Sequence, residues 1–328
     1  MTPKAELHVH LEGAAPPDLV RRLAKRNNMT LPEEIFGADG SFVWDDFLDF
    51  LKVYDAAASV IHTAEDYRDV TYEYLAACAA EGAIYVEVMS SPDHAAANGM
   101  SYLDHVLGIA AGIDDARDAH GIEGRLIVTC VRHFGPECAV EVARQVVDNP
   151  HPLVTGFGMG GDEAGHPPAQ FAEAFGIVAA SGLPCTVHAG EWAGPEKIRE
   201  AIDTLPVTRL GHGVRSIEDP RLVDDLAARG ITLEVCPGSN LATGIYESYA
   251  HHPLPRLMKA GVKVTLGSDD PPFFATSIGG EYEAARDYFG LSEAELIEIT
   301  RTALEAAFVD DDTRRGLLAR ISGETPPG

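Results

Sequence analysis

In the stretch ELHVHLEG, residues 6–13, two histidines stand one residue apart. Strand side chains alternate between faces, so His8 and His10 share a side and aim two imidazoles at one region. A single histidine in a strand is usually just a packed or surface residue. A pair in register invites a search for partners, and these recur at the ends of other apolar runs. TVHAGE carries His188 and Glu191, LGHG carries His212, and TLGSDDPP carries Asp269 and Asp270. Each alone has an ordinary explanation. Glu191 suits the first turn of a helix, the two aspartates suit a turn before Pro271, and His212 suits a tight turn between glycines. What separates these readings from a shared chemical site is whether one fold collects all of them.

The runs that carry these residues are short and rich in β-branched side chains. AELHVHL, AIYVEVM, RLIVTCV, LVTGFGM, LPCTVHA, TRLGHG, ITLEVCP and VKVTLGS make eight candidate strands. Most are almost continuously apolar, as parallel strands buried on both faces must be. Helical patterns lie between them. Residues 65–82 place Tyr67, Val70, Tyr74, Leu75 and Cys78 on one face before Gly82, and residues 220–230 run from Pro220 to Gly230. Ser292 with Glu295 three residues on forms a capping box. Strands and helices in alternation, eight times over, predict an α/β (β/α)8 barrel formed by residues 1–322 as one domain, with 323–328 as a disordered tail. No G-x-G-x-x-G follows the first strand, which weighs against an open dinucleotide-binding sheet. About seventy residues separate the first two strands, more than one crossover helix needs. Extra helices are therefore expected there, including one over WDDFLDFLKVYDAAASVI that packs on the barrel or covers its mouth.

All eight strand ends of such a barrel open onto one rim, where active sites sit. The histidines and carboxylates above then converge. His8, His10, His188 and Asp269 make a nitrogen/oxygen donor set suited to zinc, and residue types alone leave iron and manganese open. Three neutral imidazoles and one carboxylate leave such an ion with net positive charge, which lowers the pKa of a bound water. Glu191 and His212 remain to move protons. The chemistry implied is metal-assisted hydrolysis.

A formal net charge of −26 argues against nucleic acid, anionic membrane or a multiply phosphorylated ligand as partner. There is no apolar run near 18 residues and no leader pattern, so a cytoplasmic protein is expected, its oligomeric state left open. The five cysteines are scattered and form no C-x-x-C, so neither a disulfide framework nor a cysteine zinc site is indicated.

ELHVHLEGA, GGDE, HAGE, GHGVRSIED, CPGSN and GSDDPPFF, in this order, resemble the adenosine and adenine deaminase family of amidohydrolases across nearly the whole chain. The resemblance implies a (β/α)8 barrel that removes the 6-amino group of a small-molecule purine nucleoside or base as ammonia. It implies His8, His10, His188 and Asp269 as zinc ligands, with Glu191 as the acid that protonates purine N1. His212 becomes the group that orients or deprotonates the attacking water. Asp270 becomes the partner of N7, Gly161 offers its N–H to N3, and Phe47, Leu48 and Leu51 form an apolar gate over the site. LGHG and HAGEWAGPE look like the adenosine branch, so adenosine is the expected substrate. Glu12 departs from that branch, where an aspartate holds the ribose 5′-hydroxyl. Adenine, N6-substituted adenines and 5′-modified nucleosides such as aminodeoxyfutalosine are the alternatives. A purine- or metal-binding sensor barrel is the non-enzymatic one, and the retention of Glu191 speaks against it.

Overall fold

The computed structural model describes residues 2–322, apart from the side chains of Phe47 and Leu48. Eight strands form the frame: β1 Lys4–Glu6, β2 Ala83–Ser90, β3 Glu123–Val131, β4 Val154–Gly160, β5 Cys185–Ala189, β6 Val207–His212, β7 Thr232–Val235 and β8 Lys263–Leu266. They pair in chain order, every neighbour parallel, with helices between them. The strand-rich runs of the sequence are these strands, and burial on both faces explains their composition: all eight residues of β2 are buried.

The first strand is shorter than its sequence pattern. Regular pairing stops at Glu6, and beyond it single bridges join Val9 to Asp269 and His10 to Met89. The His10 N–H donates to the Asp269 carbonyl at 2.9 Å, the Asp269 N–H to the His8 carbonyl at 3.2 Å, and the Leu11 N–H to the Met89 carbonyl at 2.8 Å. This segment bonds alternately to the chain after β8 and to β2, too sparsely for a ladder but enough to close the barrel. The ring of strands is sealed by the residues that carry the histidines.

The barrel interior is partly ionic. Arg209 on β6 lies 2.6 Å from Glu87 of β2 and 2.7 Å from Glu234 of β7. Strands β2 and β6 are not neighbours, so this contact crosses the interior.

Helices form where caps and periodicity put them. Thr63 and Asp66 cap Ala64–Ala80, Pro220–Arg229 ends at Gly230 in the left-handed region, and the Ser292/Glu295 box starts Glu293–Ala306. The long first connection holds two helices, Pro17–Arg26 and Phe47–Ala58, before that crossover helix. Phe47–Ala58 buries Phe50 and Val53, and Phe50 packs against Phe273 and Phe274 in the turn after β8. The Trp44 indole N–H donates to the Phe273 carbonyl at 3.2 Å. Leu51 is half-buried against the core, while the expected gate side chains of Phe47 and Leu48 lie outside the described residues, as does the tail 323–328. Cys78, Cys130, Cys185 and Cys236 are buried free thiols and Cys138 is half-buried. No helix among the described residues is long and apolar enough to cross a membrane.

Glu281, on the helix Ile278–Asp287, ties the segment after β7 to the segment after β8 by accepting the Gly238 N–H at 3.1 Å and the Thr276 hydroxyl at 2.6 Å. Burial pushes its carboxyl up to about 7, from an ordinary value of 4.5. The folded protein therefore binds a proton here that the unfolded chain has released, and stability falls as pH rises from about 4.5 to 7. Replacing Glu281 with Gln should flatten that part of the stability–pH curve, by an amount on the order of 3 kcal/mol. Denaturant melts at pH 5 and pH 8 check it; parallel wild-type and variant curves would refute it.

Candidate metal centre and active site

The strand ends place the side chains. His8 and His10 leave the β1 extension on the same side, His188 lies in β5, and Asp269 follows β8. One donor atom from each of these four lies within 4.8 Å of every other. His10 Nε2 and His188 Nε2 are 3.1 Å apart, His10 Nε2 and Asp269 Oδ1 3.3 Å, and His8 Nε2 and Asp269 Oδ1 3.5 Å. Tetrahedral donors about 2.0–2.1 Å from a zinc ion stand roughly 3.3 Å apart, so the cluster has the dimensions of a metal cage. A second grouping, His8, His212, Cys236 and Asp269, shares two members with the first. Burial pushes the Cys236 thiol well up, which disfavours its ligating thiolate form.

The outer partners of these candidate ligands point the same way. His8 Nδ1 lies 2.9 Å from Glu234, which also accepts the Thr186 hydroxyl at 2.9 Å. His188 Nδ1 donates to the Met159 carbonyl at 3.0 Å. Each ring thus directs its Nδ1–H outward and turns Nε2 inward, the orientation a metal ligand requires. His8 Nε2 is buried and has no hydrogen-bond partner among the described residues. Burial holds His188 well below the usual imidazole range, hence neutral and able to coordinate. Ser239 donates to Asp269 Oδ2 at 2.6 Å. Gly211 on β6 gives the room: a Cβ there would stand 2.7 Å from the His8 ring and 3.2 Å from His188 Cα.

Beside the cage, His212 Nε2 lies 3.6 Å from Glu191 Oε2 and 3.8 Å from Asp269 Oδ2. Burial pushes Glu191 well above the usual carboxylate range, with the charges of Asp269 and Glu163 adding to it, so its protonated form is favoured. Burial, then Asp269, raises Asp270 to about 8. Asp270 Oδ1 is buried without a hydrogen-bond partner among the described residues. Gly161 follows β4 with φ +95°, and a Cβ on it would meet His133 at 3.0 Å.

Glu12 is buried but turned into a side network. Its Oε1 accepts the Ser90 hydroxyl at 2.6 Å and the Tyr67 hydroxyl at 3.2 Å. Tyr54, from the helix Phe47–Ala58, completes this corner. A Cβ on Gly13 would reach its ring at 2.9 Å and would overlap Asp270 Oδ1, and its phenol is pushed up by burial and then by Glu12 and Asp270. The covering helix thus brings Tyr54 to the site corner, a residue that apolar periodicity does not single out.

A second residue absent from the sequence reading is Glu163. Its carboxylate accepts the N–H groups of Gly190, of Glu191 at 3.1 Å, of Trp192 at 2.9 Å and of Ala193 at 3.1 Å. Four peptide donors on one carboxylate fix the loop that carries Glu191. Gly190 turns at φ +81°, where a Cβ would strike Ile198. The signal lies in GGDE, where the acid has a task beside that of the glycine. Arg132 braces the same region, donating to the carbonyls of His166, at 3.0 Å, and His188.

The adenosine deaminase family profile matches residues 3–324. The chain belongs to the adenosine deaminase family. An adenine deaminase of Chelativorans sp. (strain BNC1) is 50% identical over 319 residues, 97% of each chain. One from Sinorhizobium medicae is 48% identical over 318 residues, covering 97% of this chain and 98% of that one. Among solved structures, an adenine deaminase from Arthrobacter aurescens superposes with a TM-score of 0.91 at 30% identity, covering 98% of this chain and 99% of that one. An amidohydrolase from Burkholderia ambifaria, with bound Zn, gives a TM-score of 0.89 at 28% identity, covering 98% and 90%. As a member of this family of metal-dependent deaminases, the protein is a hydrolase of cyclic-amidine C–N bonds that acts on a purine.

Two substitutions test how the site is held. Glu234→Gln loses the carboxylate that orients His8, and should weaken metal affinity about 10–100-fold. A chelator competition titration measures this, and unchanged affinity would contradict the role. Glu163→Gln leaves one acceptor oxygen for four donors and should lower kcat about 100-fold by shifting the loop that carries Glu191, with metal content unchanged. Turnover assayed beside metal analysis checks it; wild-type kcat would mean that the loop holds its place without that carboxylate.

Proposed function

We propose that this protein is a zinc-dependent adenine deaminase, converting adenine and water to hypoxanthine and ammonia. The observation that carries the choice of base over nucleoside is Glu12. A ribose on N9 would present its 5′-hydroxyl to the acid at this position, and Oε1 of Glu12 already accepts two hydroxyl donors, Ser90 and Tyr67. Glu12 is 3% exposed and one methylene longer than the aspartate of the adenosine branch. The relatives named adenine deaminase support the same choice over adenosine, the substrate first expected.

A zinc ion held by His8, His10, His188 and Asp269 would supply Lewis-acid activation of water at neutral pH. Glu191, kept protonated by burial, gives its proton to ring N1 as charge develops there, making C6 electrophilic. His212 Nε2, 3.6 Å from Glu191 and 3.8 Å from Asp269, is the group that orients the attacking water. Asp270, raised to about 8, carries a proton at pH 7 for the lone pair of N7. Gly161 offers its N–H to N3. The half-buried Leu51 and the ring of Tyr54 limit water access from the covering helix.

Ultraviolet assays of zinc-loaded protein on adenine, adenosine and AMP at matched concentration test the reading. We expect kcat/KM for adenine to exceed that for adenosine by at least about 100-fold. Equal or faster turnover of adenosine would overturn the base assignment. Glu191→Gln should keep its zinc and lose turnover; full activity in that variant would remove Glu191 from the role of acid.

A further inference from the structure

The two ring nitrogens of His212 have different neighbours. Nε2 is buried, has no hydrogen-bond partner among the described residues, and faces Glu191 and Asp269. Nδ1 lies 3.2 Å from the side-chain nitrogen of Asn240, in the short helix Pro237–Ala242 after β7. The Asn240 side-chain oxygen lies 3.2 Å from Nε2 of His252, and Nδ1 of His252 lies 3.3 Å from the backbone nitrogen of Leu254.

The last contact sets the direction of the whole chain. A peptide N–H can only donate, so His252 Nδ1 must present a lone pair. His252 is 3% exposed, packed beside the rings of Tyr246 and Phe289 at 5.1 and 5.5 Å, a setting that keeps it neutral. A neutral imidazole with its lone pair on Nδ1 carries its proton on Nε2. That proton meets the Asn240 oxygen, which fixes the amide orientation and turns the NH2 group toward His212. His212 Nδ1 then accepts, and its single proton sits on Nε2.

We infer that Leu254, His252 and Asn240 form a tautomer relay that holds His212 as the Nε2–H imidazole. His212 thereby donates a hydrogen bond to the attacking oxygen and does not act as the base that takes its proton. That proton passes instead to the Glu191 carboxylate, once Glu191 has given its own to the ring. The inference rests on the proposed reaction for its meaning, but the tautomer itself is a property of the chain. Asn240 and His252 are positioning residues: they touch no substrate and act through His212. The opposite tautomer of His212 would turn the amide, and with it His252, so that two donors met at the Leu254 N–H. CPGSN thus gains a task for its asparagine that the motif alone does not state.

The test is a long-range proton–nitrogen correlation spectrum of zinc-loaded protein with labelled histidines, His212 and His252 being assigned by comparison with His212→Gln and His252→Phe. We expect both rings protonated at Nε2 and bare at Nδ1; a proton on His212 Nδ1 overturns the relay. Asn240→Asp presents only acceptors and should drive His212 to the Nδ1–H form. In that variant kcat should fall about 100–1,000-fold, the loss expected for one donor to a developing oxyanion, with KM and zinc content within about twofold. Wild-type kcat in Asn240→Asp would overturn the inference as well. Inactivity of the wild type on adenine would instead overturn the proposed reaction, because the spectra read the tautomer without turnover.

Discussion

A chain of buried charges, Glu87–Arg209–Glu234–His8, runs through the barrel interior and determines what the rim can do. Bringing a guanidinium and two carboxylates out of water is costly, and the cost is met only while every member stays paired. The Arg209 guanidinium lies 3.6 Å above the Phe308 ring, and Glu87 also accepts the Tyr85 hydroxyl and the Phe308 N–H. Deleting one partner of such a set typically destabilises by about 3–5 kcal/mol. An apolar interior of the same volume would fold as well. It would not deliver a carboxylate, held ionised by Arg209, to the back of a metal-facing imidazole.

Two of the four non-glycine residues with positive φ among the described residues are at the candidate site. His212 and Asp269 both have positive φ, 57° and 65°, a conformation costing non-glycine residues about 1–3 kcal/mol each. His212 ends β6 and Asp269 follows β8, where the chain turns over the barrel mouth. Each is over-determined by its surroundings: Asp269 by Ser239 and the His8 and His10 peptides, His212 by Asn240. Rigid positioning of this kind removes reorganisation from the reaction itself.

Most of this was readable in the sequence because parallel strands buried on both faces leave an unmistakable composition, and because polar residues inside such runs have few other reasons to be there. His8, His188, His212 and Asp269 stood out on that ground. The extent of the first strand did not, since apolar alternation continues to Leu11 while the partners of its peptides change after Glu6. Glu163 was hidden for another reason: its partners are peptide N–H groups, which leave no mark on residue types. Tyr54 and Phe50 share a helix whose periodicity suits simple packing, and only the turn after β8 reveals what that helix covers. Asn240 was visible as a letter in CPGSN, but the direction of its hydrogen bonds depends on a backbone nitrogen fourteen residues on.

The seam that closes the barrel joins the first strand's extension to the residue after the last strand, and the same peptides carry three of the four cage donors. The first and last strands of the barrel therefore meet at the candidate metal cage. During synthesis, His8 and His10 emerge first and wait through seven further strand-and-helix units for Asp269. A nascent chain offers an ion two imidazoles, then three, and the full cage only when the last strand docks. A cage built this way has its full donor set only once the ring of strands has closed.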